Sequence, residues 1–147
     1  MPAGYTVQGS KPEFLAWEWV TERLEKANNY WICSTRPDGR PHAVPVWGVF
    51  ADGAVVFSTD PTSRKAKNLT ANPAITVHLE SGDEAVIVEG LARKAKLTRA
   101  MDDAYNAKYK MRLSSFPGPV GIYEVKPKIV MAWREKDFPT SNTRWEF

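Results

Sequence analysis

One segment of the chain concentrates residues that bind anions. Residues 57–69 read FSTDPTSRKAKNL, so a strand ending in two hydroxyls leads into a Pro-started helix whose first turn carries Arg64 and Lys65. Free N–H groups and the positive end of the helix dipole attract anions at such a terminus. Arg64 can bind a phosphate with two parallel hydrogen bonds, and Lys65 can add a point charge. Because cations at a helix N-terminus are unfavourable without an anion, the pattern favours a bound phosphate or carboxylate. A solvated basic face on a surface helix is the alternative that these residues leave open.

A second candidate binding segment is the strand His42–Trp47, which reads HAVPVW. Proline cannot donate to a sheet ladder, so Pro45 indicates an edge, a bulge or a barrel seam. A broken ladder leaves backbone groups free to bond a planar heterocycle, with Trp47 and Phe57 as apolar walls. Ordinary strand packing is the alternative interpretation.

Other chemistries find little support in the sequence. His42 and His78 lack carboxylate or thiol neighbours at ligand spacing, so no metal site is expected. Cys33 lies in a strand without a nearby His and is interpreted as a buried small hydrophobe rather than a nucleophile. No Ser-His-Asp order or GxSxG elbow occurs, and no catalytic side chain can be named. Basic residues outnumber acidic ones between residues 91 and 112, which indicates a solvated helix face or a receptor for an extended anionic tail. They are Arg93, Lys94, Lys96, Arg99, Lys108, Lys110 and Arg112.

Composition limits the class of protein. The chain has 147 residues, of which 43% are hydrophobic and 25% charged, values typical of a globular domain. We therefore expect one domain over residues 1–147 rather than disorder. A single Cys excludes a disulfide framework or a thiolate zinc site, and a net charge of +3 is too small to indicate nucleic-acid binding. No signal segment or membrane-length apolar run is present, so a cytoplasmic location without membrane contact is expected.

A helix and a set of strands must position these residues. Ser10 and Glu13 form a capping-box pattern, and apolar residues at helical spacing follow, which predicts a helix over residues 10–27 that covers a sheet. Asp60 and Pro61 are expected at the N-cap and first position of a second helix over 61–72, and a third is expected over 97–111. Strands are predicted at residues 30–35, 41–50, 54–59, 74–81, 85–95 and 119–133. Six strands in hairpin-like pairs predict a closed antiparallel barrel over 30–133 with a C-terminal tail over 134–147, and the absence of GxGxxG excludes a Rossmann domain.

Three segments taken together resemble one known superfamily. They are WICSTRPDGRPHAVPVW at 31–47, FSTDPTSRKAKNLTANP at 57–73 and VEG at 88–90. In order and spacing they resemble the FMN-binding split β-barrel superfamily, the pyridoxamine 5′-phosphate oxidase-like proteins. The resemblance implies a mainly β protein, a six-stranded antiparallel split β-barrel, which forms a homodimer with two flavin-type sites at the dimer interface.

The resemblance also assigns roles to residues of this chain. It places the cofactor ring and ribityl chain along His42, Val44, Pro45, Val46 and Trp47. It places the phosphate at Ser58, Thr59, Ser63, Arg64 and Lys65, with Lys67 and Asn68 as neighbours. Near the C-terminus, Trp133 matches an aromatic residue of the family, and Arg144 is a weaker match to an arginine.

Departures from the family pattern narrow the expected activity. The oxidases themselves have an Arg-rich stretch before VEG and a C-terminal Arg-x-His element, where this chain reads AVIVEG and NTRWEF. Vitamin B6 oxidase activity is therefore not expected. The motifs are more similar to flavin/deazaflavin oxidoreductases, many of which use coenzyme F-420, whose phosphate carries an oligoglutamate tail. Lys67 and the basic residues of 91–112 are candidates to bind that tail.

The resulting prediction is an oxidoreductase that binds F-420 and transfers a hydride to an unsaturated small organic substrate. An FMN-dependent enzyme of the same fold is the close alternative. A non-enzymatic protein that binds a flavin, deazaflavin or tetrapyrrole is the alternative from another class, because it would share every cofactor residue.

Overall fold

The computed structural model describes residues 12–147, which form four α-helices and eight β-strands. The helices are α1 Trp17–Lys26, α2 Arg64–Ala71, α3 Arg99–Tyr109 and α4 Phe138–Ser141. The strands are β1 Tyr30–Thr35, β2 Pro41–Val46, β3 Gly48–Ala51, β4 Ala54–Thr59, β5 Ala74–His78, β6 Glu84–Lys94, β7 Gly121–Arg134 and β8 Thr143–Glu146. None of the helices within these residues has the length and apolar character needed to cross a bilayer.

The strands form one curled antiparallel sheet whose two ends meet. Its order is β2-β1-β5-β6-β7-β4-β3, and β8 pairs with the remaining length of β7. The end strands β2 and β3 follow each other in the chain with only Trp47 between them. The expected six-stranded antiparallel split barrel is confirmed, with β2 and β3 as two parts of one strand and β8 as an addition.

The prediction of one continuous strand over 41–50 is wrong at Trp47. Residues before this position pair with β1, and residues after it pair with β4. The sequence alternation runs on through Trp47, so it does not reveal that the ladder changes partner. The break is a consequence of closing the sheet.

The core lies inside the curled sheet. Alternate residues of β1 are buried, beginning with Tyr30 and Ile32, and the same face of β4 contributes Val55 and Phe57. Helix α1 covers this core with Val20 and Leu24, as expected of an amphipathic helix. A second apolar cluster lies between α3 and the β3–β4 pair. Two apolar layers therefore hold the strands that carry the candidate binding residues.

The predicted start of the first helix is wrong. The helix begins at Trp17 instead of at residue 10, and the expected N-cap Ser10 lies outside the described residues. Glu13 N donates to Thr140 O at 2.9 Å, and Leu15 N donates to Thr143 Oγ1 at 2.9 Å. Residues that a capping box would place in the helix instead bond to the C-terminal segment. The stretch predicted as a tail accordingly contains α4 and β8.

The predicted start of the second helix is also displaced. Asp60 is not its N-cap, because its carboxylate accepts from the Thr62 N–H at 2.7 Å within a turn. The helix begins at Arg64, and Ser63 is the N-cap, its Oγ accepting from Ala66 N at 3.2 Å. The N-cap Ser63 lies three positions after the predicted Asp60, so Arg64 and Lys65 are the first two residues of the helix.

Gly90 of the VEG motif is required by a close approach of two backbones. The register between β6 and β7 shifts at Glu89/Gly90, which leaves Lys128 of β7 without a partner in β6. A Cβ added at Gly90 would lie 2.7 Å from Lys126 O. A backbone oxygen in a central strand cannot move aside cheaply, so only glycine fits here.

We expect Gly90→Ala to lower the free energy of unfolding by about 1–3 kcal/mol, the usual cost of overpacking. Gly82→Ala is the matched control, because nothing lies within 4 Å of its added Cβ. Urea unfolding followed by circular dichroism measures both. Equal stability of the two variants would contradict the close-approach explanation.

Candidate functional site

Strand β2 lies beside the core, and within residues 12–147 no strand pairs with its outer edge. It pairs with β1 on one side and forms the end of the sheet path on the other. His42, Val44 and Val46 are half-buried on the core face, whereas Pro45 is exposed on the opposite face. Pro45 thus lies on an edge strand, one of the three positions expected for it. The unpaired edge leaves backbone groups of β2 available to a ligand.

The N-terminus of α2 is a positively charged end whose cations form no salt bridge within the described residues, although Asp60 lies near enough for Lys65 to lower the pKa of its carboxyl. Its first turn contains no acidic residue, Arg64 is exposed and Lys65 is half-buried. Within residues 12–147, neither Arg64 nor Lys65 takes part in a salt bridge. The Ser63 hydroxyl lies 3.0 Å from Thr59 Oγ1, which fixes the cap against the end of β4. Free backbone N–H groups, the helix dipole and two cations together suit an anion such as a phosphate.

His42 brings the strand and the helix terminus together. Burial of the imidazole lowers its pKa, and the positive charges of Arg36, Lys65 and Arg64 lower it further. His42 Nδ1 is buried and has no hydrogen-bond partner among the described residues. The two sequence segments predicted to bind a cofactor are therefore neighbours, and an unpartnered imidazole nitrogen lies between them.

Asn68 supports the site from behind. It is 0% exposed, and its Nδ2 donates to Ser34 Oγ at 3.1 Å. Ser34 is the β1 residue directly opposite His42. Asn68 Oδ1 has no partner in the described part of the chain. This placement makes Asn68 a brace between α2 and β1 rather than a surface group.

An aromatic row connects Ser58 with Trp47. Ser58 is a hydrogen-bond partner of the Tyr105 hydroxyl, and burial raises the pKa of Tyr105 to about 12. The Tyr105 and Tyr109 rings lie 4.7 Å apart, and Tyr109 stacks on Trp47 with ring centroids at 4.5 Å. The sequence argument missed both tyrosines. Their spacing of four residues in a predicted helix was the available signal.

Trp133 does not reach the helix terminus within one chain. Thr59, at the end of β4, pairs with Gly121, and Trp133 lies twelve positions further along β7. At about 3.3 Å per residue, this separation reaches about 40 Å along the strand. The Trp133 ring instead packs edge-on against Phe138 at 5.5 Å. Arg144 is exposed and pairs with Glu146 at 2.9 Å.

The basic residues of 91–112 do not form one exposed face. Lys108 is directed into the protein and bonds to backbone carbonyls. Arg112 pairs with Asp102 at 3.4 Å and with Asp103 at 2.9 Å. Lys67, by contrast, is exposed on α2 and forms no salt bridge to the described residues. Of the side chains predicted to bind an anionic tail, Lys67 lies next to the positively charged helix terminus.

A groove of about 450 Å³ lies on the outer face of the sheet. Its lining includes Cys33, Thr76, Glu89 and Ile129. Cys33 is half-buried in this groove, whereas the sequence predicted a buried residue. Desolvation raises the pKa of its thiol, which disfavours the nucleophilic thiolate. Over residues 12–147, no group of three His, Cys, Asp or Glu side chains converges in an arrangement that could hold a metal ion.

Comparison with known proteins identifies one family. Residues 17–134 match the family model described as pyridoxamine 5′-phosphate oxidase. No curated protein sequence matches the chain.

Solved structures share the fold at low sequence identity. General Stress Protein 26 from Bacillus anthracis str. Sterne is 18% identical, with a TM-score of 0.68 over 88% of this chain and 97% of that one. A structure named F420 Reductase is 22% identical, with a TM-score of 0.59 over 74% of this chain and 93% of that one. A heme binding protein from Mycobacterium smegmatis is 13% identical, with a TM-score of 0.67 over 90% of this chain and 59% of that one.

We expect the imidazole of His42 to titrate below the usual value near 6.5 in the free protein and to shift upward when sulfate binds. A bound dianion offsets the charges of Arg64 and Lys65 and so favours the protonated ring. By linkage, sulfate should bind more tightly as the pH falls through the His42 pKa. Two-dimensional NMR of the imidazole protons measures the shift against chloride at equal ionic strength.

His78 provides the internal control for this titration. Its ring stacks on Trp31, and its Nδ1 lies 2.8 Å from Leu79 O, away from the helix terminus. Its imidazole proton signals should lie at the same positions in sulfate and in chloride. An equal response of the two histidines would show that sulfate does not bind beside His42.

Proposed function

The chain belongs to the pyridoxamine 5′-phosphate oxidase family, and from that premise we propose that it is an oxidoreductase that binds coenzyme F-420. In this proposal it passes a hydride from the reduced cofactor to an unsaturated small organic substrate. The observation that carries the proposal is the Ser63-capped terminus of α2, which lies beside the free edge of β2 and whose two cations form no salt bridge within residues 12–147. A phosphate-bearing planar cofactor satisfies both features at once.

The phosphate end of the cofactor is assigned to the first turn of α2. The backbone N–H groups of Arg64 and Lys65 have no acceptor within the helix, and their side chains add positive charge. Ser63 is held by Thr59 and by its cap bond to Ala66, so the turn is rigid before a ligand arrives. A preformed site loses less conformational entropy when the anion binds.

The ring end is assigned to β2. The unpaired backbone edge can hydrogen-bond a heterocycle, and Trp47 is 42% exposed beside it while its ring stacks on Tyr109. His42 lies between the two ends, next to Lys65 and Arg64. The chain of hydroxyls between ring and phosphate then extends along His42 and Val44.

The chain's own residues bind, orient and shield the reaction. A reduced deazaflavin or flavin supplies the hydride when it is bound, so no protein side chain has to act as a nucleophile. This requirement agrees with the lack of a nucleophile–base pair in the sequence and with the partly buried position of Cys33. The contribution of the protein is orientation and the exclusion of water.

Lys67 supports F-420 over FMN. Lys67 is exposed and follows Arg64 and Lys65 in α2. It forms no salt bridge to the described residues, so it is free to bind an acidic tail beyond the phosphate. The fold likeness to a structure named F420 Reductase supports the same choice. An FMN enzyme would use the helix terminus alone.

A binding protein without turnover is the second candidate. The similarity in fold to a heme binding protein favours it, because the same curled sheet there belongs to a protein named for heme binding. The cofactor residues are common to both candidates. Turnover therefore separates them, whereas binding does not.

Titration of the purified protein with F-420 and with FMN tests the proposal. We expect F-420 to bind more tightly, and we expect Lys65→Ala to weaken binding by about 1.5–3 kcal/mol, the range for hydrogen bonds to charged groups. Lys26→Ala is the matched control, since Lys26 is exposed at the far end of α1. Normal cofactor binding by Lys65→Ala would refute the phosphate assignment.

One further outcome of this titration and a separate kinetic experiment distinguish the alternatives. Micromolar FMN affinity without F-420 affinity would replace the leading proposal by the FMN enzyme. Stopped-flow mixing of the reduced complex with quinones, enones and bilins should show hydride transfer. Tight binding without turnover across this panel would favour the binding protein.

We also propose a homodimer with a site at each end of its interface. Two rows of side chains cross the outer face of the sheet, because residues directly opposite in antiparallel strands share a face. One row is Pro45, Trp31, His78, Ile87 and Met131, and the other is Ala43, Cys33, Thr76, Glu89 and Ile129. The apolar members of both rows are half-buried or, at Ala43 and Pro45, exposed, and a second copy would cover them. A partner could also bring Trp133 to a helix terminus that it does not reach in its own chain.

Analytical ultracentrifugation tests the dimer. Wild-type protein should sediment at twice the mass of the chain, and Ile87→Glu should shift it toward the monomer because a charge in an apolar interface is costly. Val120→Glu is the control, since Val120 is exposed but outside both rows. A monomeric wild type would overturn the dimer.

A further inference from the structure

We infer that Lys108 is a positioning residue for the cofactor strand, acting through Gly48 on the orientation of Trp47 and the end of β2. The inference rests on the proposed function, since it assumes that β2 holds a cofactor. It concerns α3, which none of the cofactor motifs includes.

Lys108 joins its own helix to two other segments through their backbone carbonyls. Its Nζ donates to Gly48 O at 2.6 Å, to Ala27 O at 2.8 Å and to Leu24 O at 3.2 Å. It also lies 4.7 Å from the centroid of the Tyr30 ring. The first carbonyl belongs to the β2–β3 strand break, and the other two belong to the C-terminal end of α1. One ammonium group thus connects α3, α1 and the break.

Tyr109 holds the other side of the same glycine. Its hydroxyl accepts from Gly48 N at 2.8 Å and lies 2.7 Å from Asn28 O. Its ring stacks on Trp47 with an interplanar angle of 5°. Consecutive residues of α3 therefore bond the N–H and the C=O of Gly48, and the second of them also fixes the neighbouring indole.

Gly48 packs closely against the Tyr30 ring. A Cβ added there would lie 2.5 Å from the Tyr30 ring, so the backbone is pressed against the core at this point. Trp47 itself belongs to neither ladder, because β2 ends at Val46 and β3 begins at Gly48. Contacts from α3 therefore supply the restraint that the ladders do not supply at the break.

The partly buried ammonium group of Lys108 indicates a bonding role in addition to packing. Desolvation lowers the pKa of Lys108 to about 8, and the Glu25 carboxylate raises it only in part. An apolar residue would fill the same volume without that cost. Three carbonyl acceptors from two different segments explain why an ammonium group is kept here.

The consequence for the site is directional. The contacts of Lys108 and Tyr109 with Gly48 lie at the ring end of β2. The anion site of Ser63–Lys65 lies at the opposite end, near His42. Release of Gly48 should therefore loosen Trp47 and Val46 while the helix terminus stays formed. Binding of a complete cofactor should weaken, and binding of a simple dianion should not.

Lys108→Met tests this difference, with Lys110→Met as the matched control. Lys110 is exposed at the C-cap of α3, and its Nζ donates to Ala107 O of that helix at 3.2 Å without contacting Gly48. The probes are sulfate and whichever of F-420 or FMN the wild type binds, each titrated at a temperature where the variant is folded. We expect about tenfold weaker cofactor binding in Lys108→Met, because small displacements of a positioned group have large effects. We expect sulfate binding within twofold of wild type, and no change in Lys110→Met.

The outcomes separate the inference from the proposed function. A merely structural Lys108 would lower thermal stability and leave the cofactor affinity of the folded variant unchanged, and that result would overturn the inference. A wild type that binds neither F-420 nor FMN would instead overturn the proposed function. Should Lys108→Met fail to fold, Tyr109→Phe keeps the ring stacked on Trp47 but removes the bonds to Gly48. Wild-type cofactor affinity in Tyr109→Phe would also overturn the inference.

Discussion

The structure depends on a single residue of chain, Trp47, at which one strand leaves one ladder and joins another. Before it the backbone pairs with β1, and after it with β4, so the two ends of the sheet meet. Within the described residues this closure leaves β2 with one unpaired edge, and it leaves Trp47 outside both ladders, in need of a separate restraint. That restraint comes from α3, through Lys108 and Tyr109. The free edge and the restraint are two consequences of the same geometric constraint.

Charge distribution at the opposite end of β2 points to the same site. Arg64 and Lys65 lie at a helix terminus that already carries partial positive charge, and burial together with these charges lowers the pKa of His42 beside them. In a chain whose other arginines commonly pair with carboxylates, such as Arg23 with Glu84, this arrangement is costly unless an anion binds. The net charge of +3 conceals it, because the imbalance is local. The cost is consistent with a binding site that sacrifices some stability for affinity.

The sequence predicts those features of the fold and the site that depend on residues close together in the chain. Strands β1 and β4 and the helix α3 were predictable because alternation and helical spacing act over a few residues. The break at Trp47 was not, because it depends on which strands pair. The start of α1 was mispredicted because Leu15 bonds to Thr143, a contact across most of the chain. At the site, the hydroxyls and cations of residues 58–65 were visible as a sequence motif. Tertiary packing sets the remaining features, which are the burial of Asn68, the inward direction of Lys108 and the stacking of Tyr109 on Trp47.

The central claim is that β2 and the N-terminus of α2 form one site for a phosphate-bearing planar cofactor. A crystal structure of the protein soaked with F-420 tests it most directly. We expect the phosphate within hydrogen-bond distance of Ser63, Arg64 or Lys65, with the ring along the free edge of β2 near Trp47. A bound cofactor located elsewhere, or a helix terminus that stays without phosphate at saturating F-420, would contradict the claim.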